Sequence, residues 1–277
     1  MFYIFSSSIF LFGLAVGSFV NCLVWRLHSG QSLFGRSACP ACGQKIAWHD
    51  NLPLVSFIFL RGRCRRCHGQ ISWQYPLVEI FFGVLFVFAW LYNLADIFGP
   101  AGIVGLMKLA GDPIWLKARD LWLILARDFS FLAALAVIFL YDWRWQLIPD
   151  AVALPAAGLV GALNLFLDFH WKNILISGII GAGFFLVQFL VSRGRWIGGG
   201  DIRVGLLLGL GLGWPLILIA LLLAYVGGAL MAGLLLVSGR KKLGAQLPLA
   251  VFLAPAAAFT LFFGSAVAAW YLALIGY

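Results

Sequence analysis

The run MFYIFSSSIFLFGLAVGSFVNCLVW, from Met1 to Trp25, carries no charged side chain. As an α-helix it would rise about 37 Å, more than the roughly 30 Å hydrocarbon core of a bilayer. Lipid offers nothing to hydrogen-bond, so a single segment crosses it only by satisfying its own backbone, which selects a helix. The same character extends along the chain: 63% of its 277 residues are hydrophobic and 10% are charged, with a mean hydropathy of +1.01. A soluble domain would show about 45–50% apolar and about 25% charged residues, so a water-soluble globular protein is excluded. The fold read from this pattern is an all-α polytopic membrane protein. Apolar runs at 1–25, 76–98, 121–141, 151–169, 173–192, 204–213, 216–237 and 248–276 give about eight transmembrane helices, the sixth short enough to require tilt or packing inside the bundle. No basic segment precedes the first run and no small-residue cleavage site follows it, which predicts a retained span and not a signal peptide.

The chain has 19 Lys and Arg against 10 Asp and Glu, a net charge of +9. In a soluble domain that excess would suggest nucleic acid; here it sorts into alternate loops. With residues 26–75 on the cytoplasmic side, that side collects fourteen of the basic residues. Lys108, Lys117, Arg119, Arg127 and Lys172 fall on the other. The asymmetry predicts an outside N-terminus and a lipid bilayer as partner, with no nucleic acid. Residues 99–120 then form an outer loop, whose Met107-Lys108-Leu109 and Ile114-Trp115-Leu116-Lys117 read as an interfacial amphipathic piece. Three parts follow: helix 1 at 1–25, a polar module at 26–75, and a membrane bundle at 76–277.

The polar module holds Cys39-Pro-Ala-Cys42-Gly43 and Cys64-Arg-Arg-Cys67-His68-Gly69. Two C-x-x-C knuckles at this separation suit a tetrahedral Zn²⁺, since each tight turn aims two thiolates at one point. Glycines at or just after the end of each knuckle would permit the turn. A reducing compartment weakens the case for disulfides; redox-active or metal-free thiols are the alternative. Four thiolates close the coordination sphere, so such a zinc is structural and His49 and His68 are not needed as ligands.

Carboxylates within a membrane are costly and therefore candidates for function. Glu79 lies one turn into the second span, open to an ion pair with an arginine of the module or to a substrate contact. Asp150 follows Pro149 at a helix start, which explains it structurally. Asp142 ends an apolar span at the negative pole of its helix, where nothing structural favours it. Asp201 sits in Gly198-Gly199-Gly200-Asp201-Ile202-Arg203. No strand precedes these glycines and no Lys-Ser/Thr follows, so a phosphate loop is excluded. They would instead let an extended peptide approach. Two carboxylates from different helix ends sharing one proton are the arrangement for aspartic peptide hydrolysis.

These residues carry a family resemblance. Gly13-Leu-Ala-Val-Gly17-Ser18-Phe19-Val20-Asn21 with Arg26-Leu27, both knuckles, Trp48-His49-Asp50-Asn51-Leu52-Pro53-Leu54-Val55-Ser56, Leu60-Arg61-Gly62-Arg63-Cys64, Ile71-Ser72, Tyr75-Pro76-Leu77-Val78-Glu79, the segment from Asp142 to Asp150, and the G-x-G-D at 198–201 occur in one order. The set resembles the type IV prepilin peptidases. The resemblance implies Asp142 and Asp201 as the catalytic pair and Gly198, Gly199, Gly200, Arg203 and Glu79 as substrate or supporting residues. It also implies prepilin or pseudopilin substrates cut on the cytoplasmic face of the bacterial inner membrane. N-methylation of the new terminus with S-adenosylmethionine follows from the same resemblance. Arg203 departs from the lysine usual there, which keeps the charge and changes its geometry. The alternatives are another G-x-G-D intramembrane protease, which needs no tetracysteine module, and a proton- or metal-coupled carrier, for which no internal repeat is present.

Overall fold

The computed structural model describes residues 2–33, 35–98, 114–239 and 247–276. Its elements are α1 (Phe2–Ser29), a 3₁₀ turn (Trp48–Asn51), α2 (Val55–Phe59), α3 (Gln74–Phe98), α4 (Ile114–Trp145), α5 (Asp150–Phe166), α6 (Trp171–Ser192), α7 (Gly199–Leu212), α8 (Leu216–Val237) and α9 (Ala250–Leu274). The chain divides into two compact units, Met1–Leu121 and Trp122–Tyr277.

Every apolar run expected as a span is a helix. Six of them, α1, α3, α4, α6, α8 and α9, are long and apolar enough to cross a membrane. The other two have 17 and 14 residues, rising only about 26 and 21 Å. The eight runs thus appear as six long helices and two short ones, the sixth run being short as its sequence indicates. The boundaries also move. Residues 114–120, expected in an interfacial outer loop, continue α4, while 99–113 lie outside the described residues, as do Arg240, Lys241 and Lys242. The sixth run begins at Gly199 and not at 204, because the glycines there open the helix instead of preceding it.

In the first unit α1 packs on α3 through small residues, the device by which membrane helices bring their backbones together. A Cβ on Gly13 would stand 2.5 Å from the Phe82 carbonyl oxygen, and one on Gly17 would stand 2.7 Å from the Glu79 Cα. Gln74 Nε2 donates to Asn21 Oδ1 at 2.9 Å, holding the ends of the two helices together. Helix α1 runs past Trp25 to Ser29. It carries the buried Arg26 into the module, where the guanidinium donates to the Leu33 and Gly35 carbonyls.

The second unit is organised by α7, whose Leu207 and Leu208 are fully buried. Its glycine face lies against α6: a Cβ on Gly205 would come within 2.3 Å of the Gly181 carbonyl oxygen, and one on Gly209 within 2.1 Å of the Ser177 carbonyl. A short helix without side chains on one face sits deep because its neighbours can reach its backbone. Polar side chains fix its far end. Asn164 Nδ2 donates to the Leu210 carbonyl at 2.7 Å, Arg127 Nη1 donates to Asn164 Oδ1 at 3.3 Å, and Arg127 pairs with the buried Asp128 at 2.7 Å. Asn173 brackets Trp214, accepting its N–H at 2.8 Å and donating to its carbonyl at 3.1 Å, which pins the turn from α7 to α8.

Candidate active site and metal centre

Asp142 lies on the last turns of α4, only 5% exposed, and Asp201 lies in the first turn of α7, 8% exposed. The structure supplies what the sequence did not offer for Asp142. Its Oδ2 accepts the Ala250 N–H at 2.9 Å, so the carboxylate sits at the start of α9, where free N–H groups and the helix dipole favour an anion. The pole of α4 that disfavours it is answered by the opposite pole of α9. Asp201 Oδ2 accepts the Gly198 N–H at 3.0 Å, reaching back to the residue that begins its own helix. Helix α9, whose first residue holds Asp142, packs on α7, whose first turn carries Asp201. The fold thus brings together two buried acids 59 positions apart in sequence, each with one oxygen tied to a backbone N–H.

The glycines beside Asp201 divide. A Cβ on Gly200 would meet the Ile148 Cβ at 2.8 Å, whereas none of the described atoms comes within 4 Å of one on Gly199. The close approach expected of a peptide substrate is at Gly200 taken by the chain itself, leaving Gly198 and Gly199 exposed. Arg203 reaches Asp150, the first residue of α5, in an ion pair between exposed groups. Both residues are thereby given structural work. Glu79 is tied to the chain itself: its Oε2 accepts the Leu54 N–H at 2.8 Å, and Ser18 also bonds it. Among the described residues no ion pair involves Glu79. Leu54 has φ +59°, a conformation costly for a leucine, and the bond from Glu79 holds it at the head of α2.

The four module cysteines converge. All four sulfurs lie within 4.8 Å of one another, and Cys39 Sγ is 3.8 Å from Cys67 Sγ. A tetrahedron with metal–sulfur bonds of about 2.3 Å has edges of about 3.8 Å, so the donor set fits. Both knuckles repeat one geometry: Gly43 N–H donates to the Cys39 carbonyl at 2.8 Å and His68 N–H to the Cys64 carbonyl at 3.0 Å. The left-handed residue is Gly43 (φ +69°) in the first knuckle but His68 (φ +56°) in the second, so Gly69 is not the turn residue expected. A Cβ on Gly69 would crowd Cys67 Sγ at 3.3 Å, which explains the glycine as room for the sulfur. The Cys67 and Arg66 N–H groups draw the Cys64 thiol down to about 7. Cys67 is drawn down by the Gly69 N–H, yet desolvation and the three neighbouring thiols push it up to about 11. Thiolates gathered this closely need a cation to ionise together. Asp50 braces the module through Arg65, whose Nη2 donates at 2.6 Å and holds the Asp50 carboxyl below its ordinary value.

Sequence reasoning passed over two polar groupings within apolar runs. One is the Arg127, Asp128 and Asn164 network described above. The other joins Gln188 of α6 to Tyr225 of α8, whose hydroxyl donates to Gln188 Oε1 at 2.9 Å. A polar side chain interrupting a span was the available signal for both.

Comparison with known proteins covers both units. A family profile described as Bacterial Peptidase A24 N-terminal domain matches residues 11–93, and one described as Type IV leader peptidase family matches 129–233. A Burkholderia pseudomallei prepilin leader peptidase/N-methyltransferase is 32% identical over 284 residues, covering 91% of this chain and 84% of that protein. The chain belongs to the type IV leader peptidase family. A Pseudomonas putida relative of the same description is 30% identical over 291 residues, covering 96% of this chain and 93% of its own length. A Myxococcus xanthus relative is 33% identical over 247 residues, which span 85% of this chain but 64% of that protein. No solved structure matches the chain. The leader peptidase profile contains Asp142 and Asp201, and the N-terminal profile contains Glu79 and all four module cysteines.

Proposed function

We propose that this leader peptidase family member is a membrane aspartic endopeptidase that removes the leader from type IV prepilins or pseudopilins, with Asp142 and Asp201 as its catalytic pair. The observation that carries the assignment is the burial of these two acids on helices that pack together, Asp142 bound to the first residue of α9 and Asp201 in the first turn of α7. Buried like charges at short range favour one shared proton over two ionised groups. The ionised carboxylate takes a proton from water as its oxygen attacks the scissile carbonyl carbon. The protonated one supports the developing oxyanion. Collapse breaks the C–N bond, and a proton passes to the leaving amine, freeing the new N-terminus. The positive-inside asymmetry supports a site on the cytoplasmic face of the bacterial inner membrane. A precursor peptide with a hydroxyl carbon in place of the scissile carbonyl should inhibit at far lower concentration than the parent peptide. Acylating serine reagents should not inhibit. The reverse pattern would contradict the aspartic assignment.

The module residues Cys39, Cys42, Cys64 and Cys67 would hold Zn²⁺, which when bound supplies a closed structural crosslink and no open coordination position. Purified protein should contain about one zinc per chain, and replacing Cys39 by Ser should loosen the module first, since much of its folding free energy comes from the metal. Well under one zinc alongside full activity would contradict this role.

N-methylation of the freed amine accompanies cleavage in this family reading, with S-adenosylmethionine as donor. A groove of about 380 Å³ in the first unit, lined in part by Ser18, Cys22, Arg26 and Asn51, does not fit that donor. Among its described lining residues there is no carboxylate to hold ribose hydroxyls or a sulfonium, and Arg26 is engaged with backbone carbonyls.

A further inference from the structure

A groove of about 470 Å³ opens on the surface of the second unit between α6 and α8, lined by Ile180, Gly183, Phe184, Val187, Gln188 and Tyr225. The five α6 residues recur at helical spacing on one face, and Phe184 and Val187 are exposed, as lipid-facing side chains are. The polar pair at its end is out of character. An amide and a phenol hydroxyl facing lipid are costly unless each finds a partner, and here they find each other. Tyr225 Oη–H donates to Gln188 Oε1 at 2.9 Å, and Gln188 Nε2 donates to the Phe184 carbonyl at 3.3 Å. That uses one of the two amide hydrogens and leaves the phenol oxygen able to accept. One donor and one acceptor at a single point match one peptide unit.

The pair also stands beside the catalytic acid. Gly181 of α6 meets Gly205 of α7 backbone to backbone; since the two helices run in opposite senses, seven residues further along α6 lies Gln188, level with the start of α7 and Asp201. Resting on the peptidase reading above, we propose that Gln188 and Tyr225 are positioning residues for the substrate: they receive a backbone unit of the extended segment at the scissile bond, and the groove through Ile180, Gly183 and Val187 seats the first turns of the apolar helix that follows it. A peptide that unwinds at the edge of a bilayer exposes N–H and C=O groups that lipid cannot satisfy, and this is where the chain supplies a partner for each. The occupant is an apolar helix because the groove walls are aliphatic and aromatic.

Gly183 makes the proposal testable, because none of the described atoms lies within 4 Å of a Cβ added there. Gly183→Phe fills the groove without disturbing Asp142, Asp201 or the glycine contacts of α7. Two substrates are compared: a full pilin precursor in mixed micelles, and a short soluble peptide spanning only the cleavage site. Gly183→Phe should raise KM for the precursor by about 10-fold or more and leave the short peptide unchanged. Tyr225→Phe and Gln188→Leu should lower kcat/KM for both substrates by about 3- to 10-fold, the cost of a lost hydrogen bond. A photo-crosslinking residue at 183 should label the precursor's apolar helix, whereas one at the lipid-facing Leu159 should not. Wild-type cleavage of the precursor with Gly183→Phe equally active, or labelling of lipid alone from position 183, overturns the groove assignment and leaves the peptidase standing. Failure of the wild type to cleave either substrate overturns both.

Discussion

Asp142→Asn and Asp201→Asn should each reduce leader removal by about 10²–10⁴-fold, the range associated with losing a positioned acid or base, with the helical content of the purified protein unchanged. The fold should survive because asparagine keeps a carbonyl oxygen to accept the Ala250 N–H in one case and the Gly198 N–H in the other. What it loses is the proton that the pair shares. Asp150→Asn is the matched control. Its partner Arg203 is exposed, and an exposed ion pair contributes about 0–1 kcal/mol, so activity should stay within a few fold of wild type. Cleavage rates with a purified pilin precursor read all three. Activity retained in Asp142→Asn and lost in Asp150→Asn would move the catalytic role to Asp150.

Gly205→Val should be the most damaging substitution outside the site. The new Cβ would meet the Gly181 carbonyl oxygen at 2.3 Å and Phe185 Cδ2 at 2.5 Å. Overpacking into side chains costs about 1–3 kcal/mol; here one obstacle is backbone, which cannot rotate away, so α6 and α7 must separate. Asp201 stands one turn before Gly205 on α7, so its position is lost along with the packing. Thermal unfolding in detergent should show a marked fall in Tm together with loss of cleavage. Gly199→Ala, with open space at its Cβ, should leave Tm unchanged. Equal stability of Gly205→Val and wild type would contradict the central place given to the α6–α7 contact.

Uncharged runs of twenty residues are visible in a sequence because lipid solvation needs nothing else, and all eight apolar runs became helices. The two short helices were harder to read. Gly199-Gly200 before an apolar run suggests a loop by glycine's low helix propensity, yet the glycines form the first turn of α7, where packing against Ile148 outweighs propensity. Of the site, the residue types and their order were legible, including the four sulfurs that the structure gathers within 4.8 Å. The bond from Ala250 to Asp142 spans 108 positions, and no local pattern announces it. Glu79 likewise could be seen as a buried acid, but its partner is a backbone N–H of a leucine held at positive φ, and backbone donors carry no residue signature. His68 at the turn of the second knuckle shows the same limit: the motif located the turn, and the backbone chose which residue adopts it.

The most direct test is incubation of the detergent-solubilised wild-type protein with a purified pilin precursor, followed by intact-mass measurement of the product. The account predicts a single mass loss equal to the leader, abolished in Asp201→Asn. An unchanged precursor mass under conditions where the protein is folded and metal-loaded, or the same loss in Asp201→Asn, would contradict it.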